Sequence, residues 1–187
     1  NDERLETINC IFEQLKVGAK ATGYTIGPSV TRFDIFPNRD VSVSYIEKYV
    51  NDLCSRLGGV LARFEKIVQG KTSSALEIPN QRSMMVGYKD CFLSLPKKKP
   101  GVDLYVPFGK SIDGTNIGAN LAKFPHLLVS GSTGSGKSVY VNSLIITLLM
   151  RNSPDDLKFL LIDPKEVEFA RYNGIPHLLG PVVSSTA

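Results

Sequence analysis

The apolar residues near the start of the chain follow a helical period. They recur every three or four positions: Leu5, Ile8, Ile11, Phe12 and Leu15. This spacing predicts an amphipathic helix over residues 5–17, ended by Gly18. A second helix is predicted over residues 44–57, because its apolar residues again share one face and two glycines follow it.

Short strands are predicted between and after these helices. Residues 23–36 are rich in β-branched and aromatic side chains and contain a Gly-Pro turn signal, which predicts two strands. Three further apolar pieces are interrupted by polar residues, glycine and proline, and we expect strands at residues 60–67, 75–78 and 84–86. The first part of the chain is therefore predicted to be a small α+β unit.

A different pattern begins after a run of three lysines. The segment KKKPG at residues 97–101 combines like charges with two chain-breaking residues, which favours a solvated linker over a phosphate-binding surface. Beyond it, an apolar strand (126–130), a helix (138–150) and a second apolar strand (157–162) predict a βαβ unit with parallel strands. We place a domain boundary near residue 100, between a first domain (1–100) and an α/β domain (101–187).

Composition narrows the picture only slightly. The chain has 187 residues and is 42% hydrophobic, which is sufficient for packed cores and excludes a disordered tail. A net charge of +4 permits a polyanionic partner without requiring one. The apolar stretches are too short for a membrane helix, so we expect a cytoplasmic segment without membrane contact.

The cysteines and histidines give no sign of a metal centre. Cys10, Cys54 and Cys91 are far apart and form no CxxC pair, which argues against a disulfide framework and a zinc site. His126 and His177 each lie in a PHLL string and lack a partner at metal-ligand spacing. We interpret these residues as reduced thiols and structural histidines.

A glycine-rich segment joins the predicted strand 126–130 to the predicted helix. It matches GxxxxGK[ST] and consists of Gly131, Ser132, Thr133, Gly134, Ser135, Gly136, Lys137 and Ser138. Glycines let the backbone curl so that N–H groups point at phosphate oxygens, and the helix dipole adds to that field. We predict that the loop binds a nucleoside triphosphate, with Lys137 at the β- and γ-phosphates and Ser138 ligating Mg²⁺.

Hydrolysis would also need an acidic residue that holds the metal at the end of another strand. Asp163 follows the predicted strand 157–162 and is a candidate for this role. The lysine two positions later places a cation beside it, and we favour a capping or structural role for Asp163 over metal ligation. Glu166 and Glu168 are interpreted as solvated residues at the start of a helix.

Several strings outside this loop resemble the FtsK/SpoIIIE family of bacterial DNA translocases. In the first part they are GPSVTRFDI (27–35), RLG (56–58) and LEIPNQ (76–81). In the second part they are FGKSIDG (108–114), ANLAKFPHLLVSGSTGSGKS (119–138) and IDPKEVEF (162–169). The resemblance implies an α/β fold class, in which a small α+β domain (the family's α-domain) precedes a truncated RecA-like P-loop NTPase core. In this family the IDPK strand precedes the Walker B strand, in line with a structural role for Asp163.

The resemblance also implies a function. It is that of a homo-hexameric ring that encircles double-stranded DNA and pumps it by ATP hydrolysis, with ATP and Mg²⁺ as cofactors, in chromosome segregation at division or sporulation. Two alternatives stay open, a non-catalytic ring-assembly module and the motor of a secretion or conjugation ATPase.

The end of the chain bears on catalysis. It stops at Ala187, before the place where the family's Walker B strand, sensor and DNA-gripping loops would come. The resemblance implies a longer parent protein that hydrolyses ATP and is anchored in the membrane at the division septum. Whether this fragment hydrolyses ATP alone stays open. Strand 157–162 is expected to expose apolar surface that would lie under neighbouring elements in a complete core.

Overall fold

The chain forms two compact units in the computed structural model, which describes residues 1–68 and 70–184. The first unit comprises Asn1–Val86 together with Lys110–Thr115. The second comprises Gly87–Gly109 and the chain from Asn116 onward. Each unit has its own apolar core.

The first unit is an antiparallel sheet with helices. Its helices are α1 (Asp2–Gln14), α2 (Val43–Glu47) and α3 (Val50–Arg56), and its strands are β1 (Ala19–Ile26), β2 (Val30–Pro37), β3 (Arg63–Glu65) and β4 (Ser74–Pro79). The strands lie in the order β1-β2-β4-β3, and every adjacent pair is antiparallel. The predicted first helix, the predicted strand pair after it and the strand over residues 75–78 are confirmed.

Strand β2 shows why this sequence forms a half-buried sheet. Thr31, Phe33 and Ile35 are buried and alternate with more exposed neighbours, which is the two-residue period of a strand. The turn before it is closed by the Gly27 N–H, which donates to the Val30 carbonyl at 2.9 Å. The buried face of β2 belongs to the same core as one face of α1, which contributes Ile8, Ile11 and Phe12.

Two predictions in this unit were wrong in extent. The single helix over residues 44–57 is divided into α2 and α3, because the N–H groups of Lys48 and Tyr49 bond three residues back instead of four. The predicted strand over residues 60–67 shrinks to β3. These short pieces have too little periodic sequence to fix their ends.

The predicted strand over residues 84–86 is wrong. These residues have no helix or strand, and the Met85 side chain is 98% exposed. An apolar run forms a strand only where a neighbouring strand accepts its backbone hydrogen bonds, and here the Met84 N–H bonds the Pro28 carbonyl in a single loop contact.

The second unit centres on one long helix. Its α-helices and strands are α4 (Tyr88–Leu93), β5 (Tyr105–Lys110), β6 (Asn116–Asn120) and α5 (Lys137–Arg151), and short 3-10 helices cover Leu121–Lys123 and Ala170–Tyr172. Strands β5 and β6 form a two-stranded sheet, and a turn at residues 113–114 joins them. Helix α5 confirms the predicted helix over residues 138–150, whereas α4, β5 and β6 were not predicted.

The predicted βαβ unit is only partly formed. Residues 126–130, expected as its first strand, are not in a strand, and Leu128 is 89% exposed. Residues 157–162 are paired instead with the chain that follows them, through isolated parallel bridges of Phe159 with Leu178 and of Ile162 with Val183. The expectation of a strand over residues 126–130 was therefore wrong, because an apolar run without a paired neighbour lacks the hydrogen bonds that define a strand.

The core of the second unit holds α5 against β5. Val106 of β5 packs with Leu144 and Leu148 of α5. The carboxyl end of α5 is fixed by a buried ion pair between Arg151 and Asp103. The adjacent Asn152 amide donates to the Asp103 carbonyl at 2.8 Å.

Among the described residues, no helix combines the length and the apolar character that a bilayer crossing requires.

Candidate functional site

The glycine-rich loop predicted to bind phosphate curls tightly in front of α5. Gly134 and Gly136 have φ of +81° and +88°, in the left-handed region that favours glycine. A Cβ atom at Gly131 would overlap the Ser135 side chain, so the start of the loop lies close against its middle. The Ser135 N–H also donates to the Ser132 carbonyl, at 3.1 Å. The backbone thus has the bends that the sequence pattern requires.

Helix α5 begins directly at the end of this loop. Its N-cap is Gly136, which has no side chain to accept a hydrogen bond from the first-turn N–H groups. Those N–H groups and the positive end of the helix dipole are therefore available to an anion. Lys137 and the loop residues before it are exposed, and Ser138 is half-buried. Cation, hydroxyl and unsatisfied amides thus lie together.

The Ser138 hydroxyl has a partner that sequence reasoning missed. Its Oγ donates to Oε1 of Glu168 at 2.5 Å. A hydrogen bond from a hydroxyl to a carboxylate is charge-assisted and short when it is strong. The interpretation of Glu168 as a solvated residue at a helix start was wrong, because residues 164–169 form turns and bends and the side chain reaches α5.

Asp163 holds the segment that carries Glu168. Its carboxylate is buried and accepts the backbone N–H groups of Phe169 at 2.9 Å, Glu168 at 2.8 Å and Lys165 at 3.3 Å. These bonds, above all those from Phe169 and Glu168, lower the pKa of Asp163 below its usual range, since they stabilise the charged form. The carboxylate proposed as a metal ligand or cap is engaged with the backbone that follows it.

A second contact ties the same segment to α5. The Tyr172 hydroxyl donates to Oδ1 of Asn142 at 2.5 Å, and the Asn142 amide donates to the Ser138 carbonyl at 2.8 Å. Tyr172 is buried. Residues 163–172 are thus fixed to the first two turns of α5 at two points, Glu168 on Ser138 and Tyr172 on Asn142.

The other predicted residues lie outside this arrangement. His177 has a structural role, as predicted: its Nε2 is 3.0 Å from the Asn152 carbonyl oxygen, and its ring lies near Phe159. The three lysines at residues 97–99 are exposed and belong to no helix or strand.

The residues present fit a magnesium-bound triphosphate. The uncapped start of α5 and the bent glycine loop suit phosphate oxygens, and Lys137 supplies a positive charge. Ser138 presents a hard oxygen atom, the ligand type that Mg²⁺ prefers, and its hydroxyl is hydrogen-bonded to Glu168. The loop residues could be found from their sequence pattern, but the part played by Glu168 could not. Its hydrogen bond to Ser138 joins residues 30 positions apart, and no local sequence pattern indicates such a contact.

Comparison with known proteins places both parts of the chain in one family. Residues 1–80 match the model of the FtsK alpha domain, and residues 90–187 match that of the FtsK/SpoIIIE family. The DNA translocase SpoIIIE of Bacillus subtilis is 41% identical over 97% of this chain. A DNA translocase FtsK of Listeria monocytogenes is 42% identical over 93%. The chain spans 23% of the length of each of these relatives.

A solved structure was also found, that of the pCW3 conjugation coupling protein TcpA in its monomer form with ATPγS. It is 23% identical and covers 98% of this chain and 50% of its own, with a TM-score of 0.39. A likeness of this size supports no conclusion about fold or function. The two family models, which together match most of the sequence, carry the assignment. The chain belongs to the FtsK/SpoIIIE family.

Proposed function

We propose that this chain is the ATP-binding portion of a hexameric, ATP-driven translocase of double-stranded DNA that acts in chromosome segregation. One observation carries the proposal: in a chain of this family, the GSTGSGKS loop has left-handed glycines and runs directly into the uncapped start of α5. The relatives quoted above are named DNA translocases, which supports DNA as the substrate.

Each part of the loop has a distinct task in this proposal. The backbone N–H groups of residues 131–138 bind phosphate oxygens, and Lys137 offsets the charge of the β- and γ-phosphates. The Ser138 hydroxyl holds the metal. A magnesium ion held there would supply positive charge next to the transferring phosphoryl group. These residues position and stabilise the triphosphate, and none of them is a general base.

The remaining functions belong to the whole protein. We propose that the first unit is the family's α-domain and that the second unit is the start of a RecA-like motor domain. The boundary predicted near residue 100 lies inside the second unit, which begins at Gly87. Ring assembly, DNA contact and completion of the hydrolytic site would then involve parts of the protein beyond those described. Translocation is therefore proposed for the full-length protein and ATP binding for this segment.

The test is ATP hydrolysis by the full-length protein with and without duplex DNA. We expect duplex DNA to stimulate turnover and Lys137→Ala to lower it about a hundredfold or more, since it removes a cation that stabilises transferring phosphate. Lys123→Ala, at an exposed lysine outside the loop, is the matched control and should leave turnover unchanged.

Three results would contradict the proposal in different ways. Undiminished turnover in Lys137→Ala would remove the loop from catalysis. Turnover without stimulation by duplex DNA would favour a motor for secretion or conjugation. Binding of Mg-ATP without any turnover, with or without DNA, would favour a ring-assembly module.

A further inference from the structure

The Ser138 hydroxyl can donate one hydrogen bond through its proton and can offer two lone pairs to hydrogen-bond donors or to a metal ion. A hydroxyl that ligates a metal uses a lone pair, so its proton has to be donated to another acceptor. In this structure the acceptor is Oε1 of Glu168, at 2.5 Å. Donation in that direction turns the lone pairs of Ser138 away from Glu168 and leaves them free for a cation.

Glu168 does not reach Ser138 from a loose chain. The backbone N–H of Glu168 donates to Oδ2 of Asp163 at 2.8 Å, and that of Phe169 donates to the same oxygen at 2.9 Å. The contact between Tyr172 and Asn142 fixes the segment to α5 a second time. The Glu168 carboxylate is therefore held at the start of α5 by contacts that involve no ligand.

The position of this carboxylate suits a role behind the metal. A residue that hydrogen-bonds a metal ligand orients it and increases its basicity, and loss of such a partner typically weakens metal affinity about 10- to 100-fold. Glu168 is half-buried, so solvent screens its charge less than that of an exposed acid. Glu166, two positions earlier, is exposed and makes no such contact in the described structure.

We propose that Glu168 is a positioning residue of the nucleotide site, which accepts a hydrogen bond from the Ser138 hydroxyl and thereby orients the Ser138 oxygen to bind Mg²⁺. The inference rests on the proposed ATP-binding function. In this proposal Asp163 holds the backbone of Glu168 in place through the hydrogen bonds given above. The consequence is selective: Glu168 contributes to Mg²⁺ affinity and little to the affinity for the nucleotide alone.

The test measures binding of a fluorescent, non-hydrolysable ATP analogue to the full-length protein, first in EDTA and then across a Mg²⁺ titration. Mg²⁺ is expected to strengthen binding of the analogue. Glu168→Ala should raise the Mg²⁺ concentration at which this strengthening is half-maximal by about tenfold or more. In EDTA its affinity for the analogue should stay within about threefold of wild type, because the phosphate-binding loop is intact.

Two conservative variants separate positioning from general damage. Glu168→Gln keeps a side-chain oxygen that can accept the hydrogen bond from the Ser138 hydroxyl, so its Mg²⁺ requirement should lie between those of wild type and Glu168→Ala. Glu166→Gln removes the same charge at an exposed position and should behave as wild type. If Glu168→Ala does not fold, as judged by circular dichroism, the comparison of the two glutamine variants decides.

A double-mutant cycle shows whether Glu168 acts through Ser138. In a Ser138→Ala background the additional change Glu168→Ala should shift the Mg²⁺ requirement by less than twofold, because the hydroxyl to be positioned is gone. An undiminished shift in that background would overturn positioning through Ser138, as would a normal Mg²⁺ requirement in Glu168→Ala. Two results would overturn the proposed function together with this inference. One is that the wild-type protein does not bind the analogue, and the other is that Lys137→Ala binds it as tightly as wild type does.

Discussion

At the scale of single residues, Asp163 shows how one carboxylate shapes a functional segment. It accepts three backbone N–H groups from residues 165–169, a stretch without helix or strand hydrogen bonds of its own. Hydrogen bonds to a charged acceptor are stronger than those between neutral groups, so the Asp163 carboxylate keeps this turn compact. The glutamate that contacts Ser138 lies inside the same turn.

The lowered pKa of Asp163 predicts a dependence on pH. The hydrogen bonds favour the charged form in the folded state, so its stabilising contribution is present in full above the ordinary pKa of 3.8 and is lost as the pH falls through the lower folded-state value. We expect Asp163→Asn to unfold at lower temperature than wild type at pH 7. The two proteins should begin to converge as the pH falls below the ordinary pKa of 3.8, and should converge fully only below the lower folded-state pKa of Asp163, because Asn does not titrate.

Thermal unfolding followed by circular dichroism between pH 2 and 7 checks this prediction. Asp155→Asn, at an exposed carboxylate in the loop after α5, is the control and should follow wild type throughout. A difference between Asp163→Asn and wild type that is as large at pH 2 as at pH 7 would contradict an ionisation effect.

At the scale of elements, β2 is a central strand of the sheet in the first unit. It pairs with β1 on one side and β4 on the other, and its Phe33 side chain is fully buried in the core shared with α1. Phe36, three residues later in the same strand, is 39% exposed. The two phenylalanines lie in the same strand, but one is buried and the other is partly exposed to solvent.

Truncation of these two side chains should therefore have unequal effects. Phe33→Ala is expected to reduce the free energy of unfolding by about 3–5 kcal/mol, since it removes buried apolar area and leaves a cavity. Phe36→Ala should cost less than half as much. Urea denaturation followed by tyrosine fluorescence measures both, and similar losses for the two variants would show that Phe33 is not a core residue.

Helix α5 has a different task at each end. Its start presents the phosphate-binding loop, and its end is anchored by Arg151, whose guanidinium pairs with Asp103 and also donates to the Pro96 carbonyl at 2.7 Å. Both charged side chains are 8% exposed. A buried pair of this kind is expensive to break from one side, because the remaining charge stays buried without a partner.

Arg151→Met should therefore destabilise the second unit by about 3–5 kcal/mol. Lys66→Met removes one partner of an ion pair with Glu47 that is exposed on both sides, and should cost less than about 1 kcal/mol. Denaturant unfolding of both variants tests the contrast. A loss in Arg151→Met no greater than in Lys66→Met would mean that the buried pair does not anchor α5.

At the scale of the whole molecule, several large apolar side chains of the second unit face solvent. Val139, Leu160 and Ile162 are 75%, 63% and 58% exposed. The apolar run over residues 157–162 was expected to expose surface that a complete core would cover, and the exposure of two of its residues agrees with that expectation. Exposed apolar surface favours association.

The 187-residue chain produced alone should therefore self-associate as its concentration rises. Leu160→Glu should weaken this association severalfold, because it places a charge on the exposed run, whereas Met85→Glu changes an exposed residue of the first unit and should have little effect. Sedimentation velocity at a series of concentrations measures both. A stable monomer of the wild-type chain at all concentrations would refute the prediction.

The sequence by itself determined the features that depend on neighbouring residues. The helical spacing around Ile8 and Ile11, the turn between β1 and β2, and the apolar pattern of α5 all reflect periods within one element. The GSTGSGKS pattern likewise predicted a curled loop before a helix, and the left-handed Gly134 and Gly136 supply its bends, because glycine adopts such conformations without steric cost. These features needed no knowledge of the rest of the fold.

The tertiary structure alone decided which segments meet. Residues 126–130 have the composition of a strand but lack a paired neighbour, and residues 157–162 pair with a segment some twenty residues later. The same holds for the site: Glu168 looked like a solvated acid because nothing near it in sequence needs a carboxylate. Its hydrogen bond to Ser138 exists because the turn built on Asp163 brings it to α5, and a contact across 30 positions leaves no periodic signal in the chain.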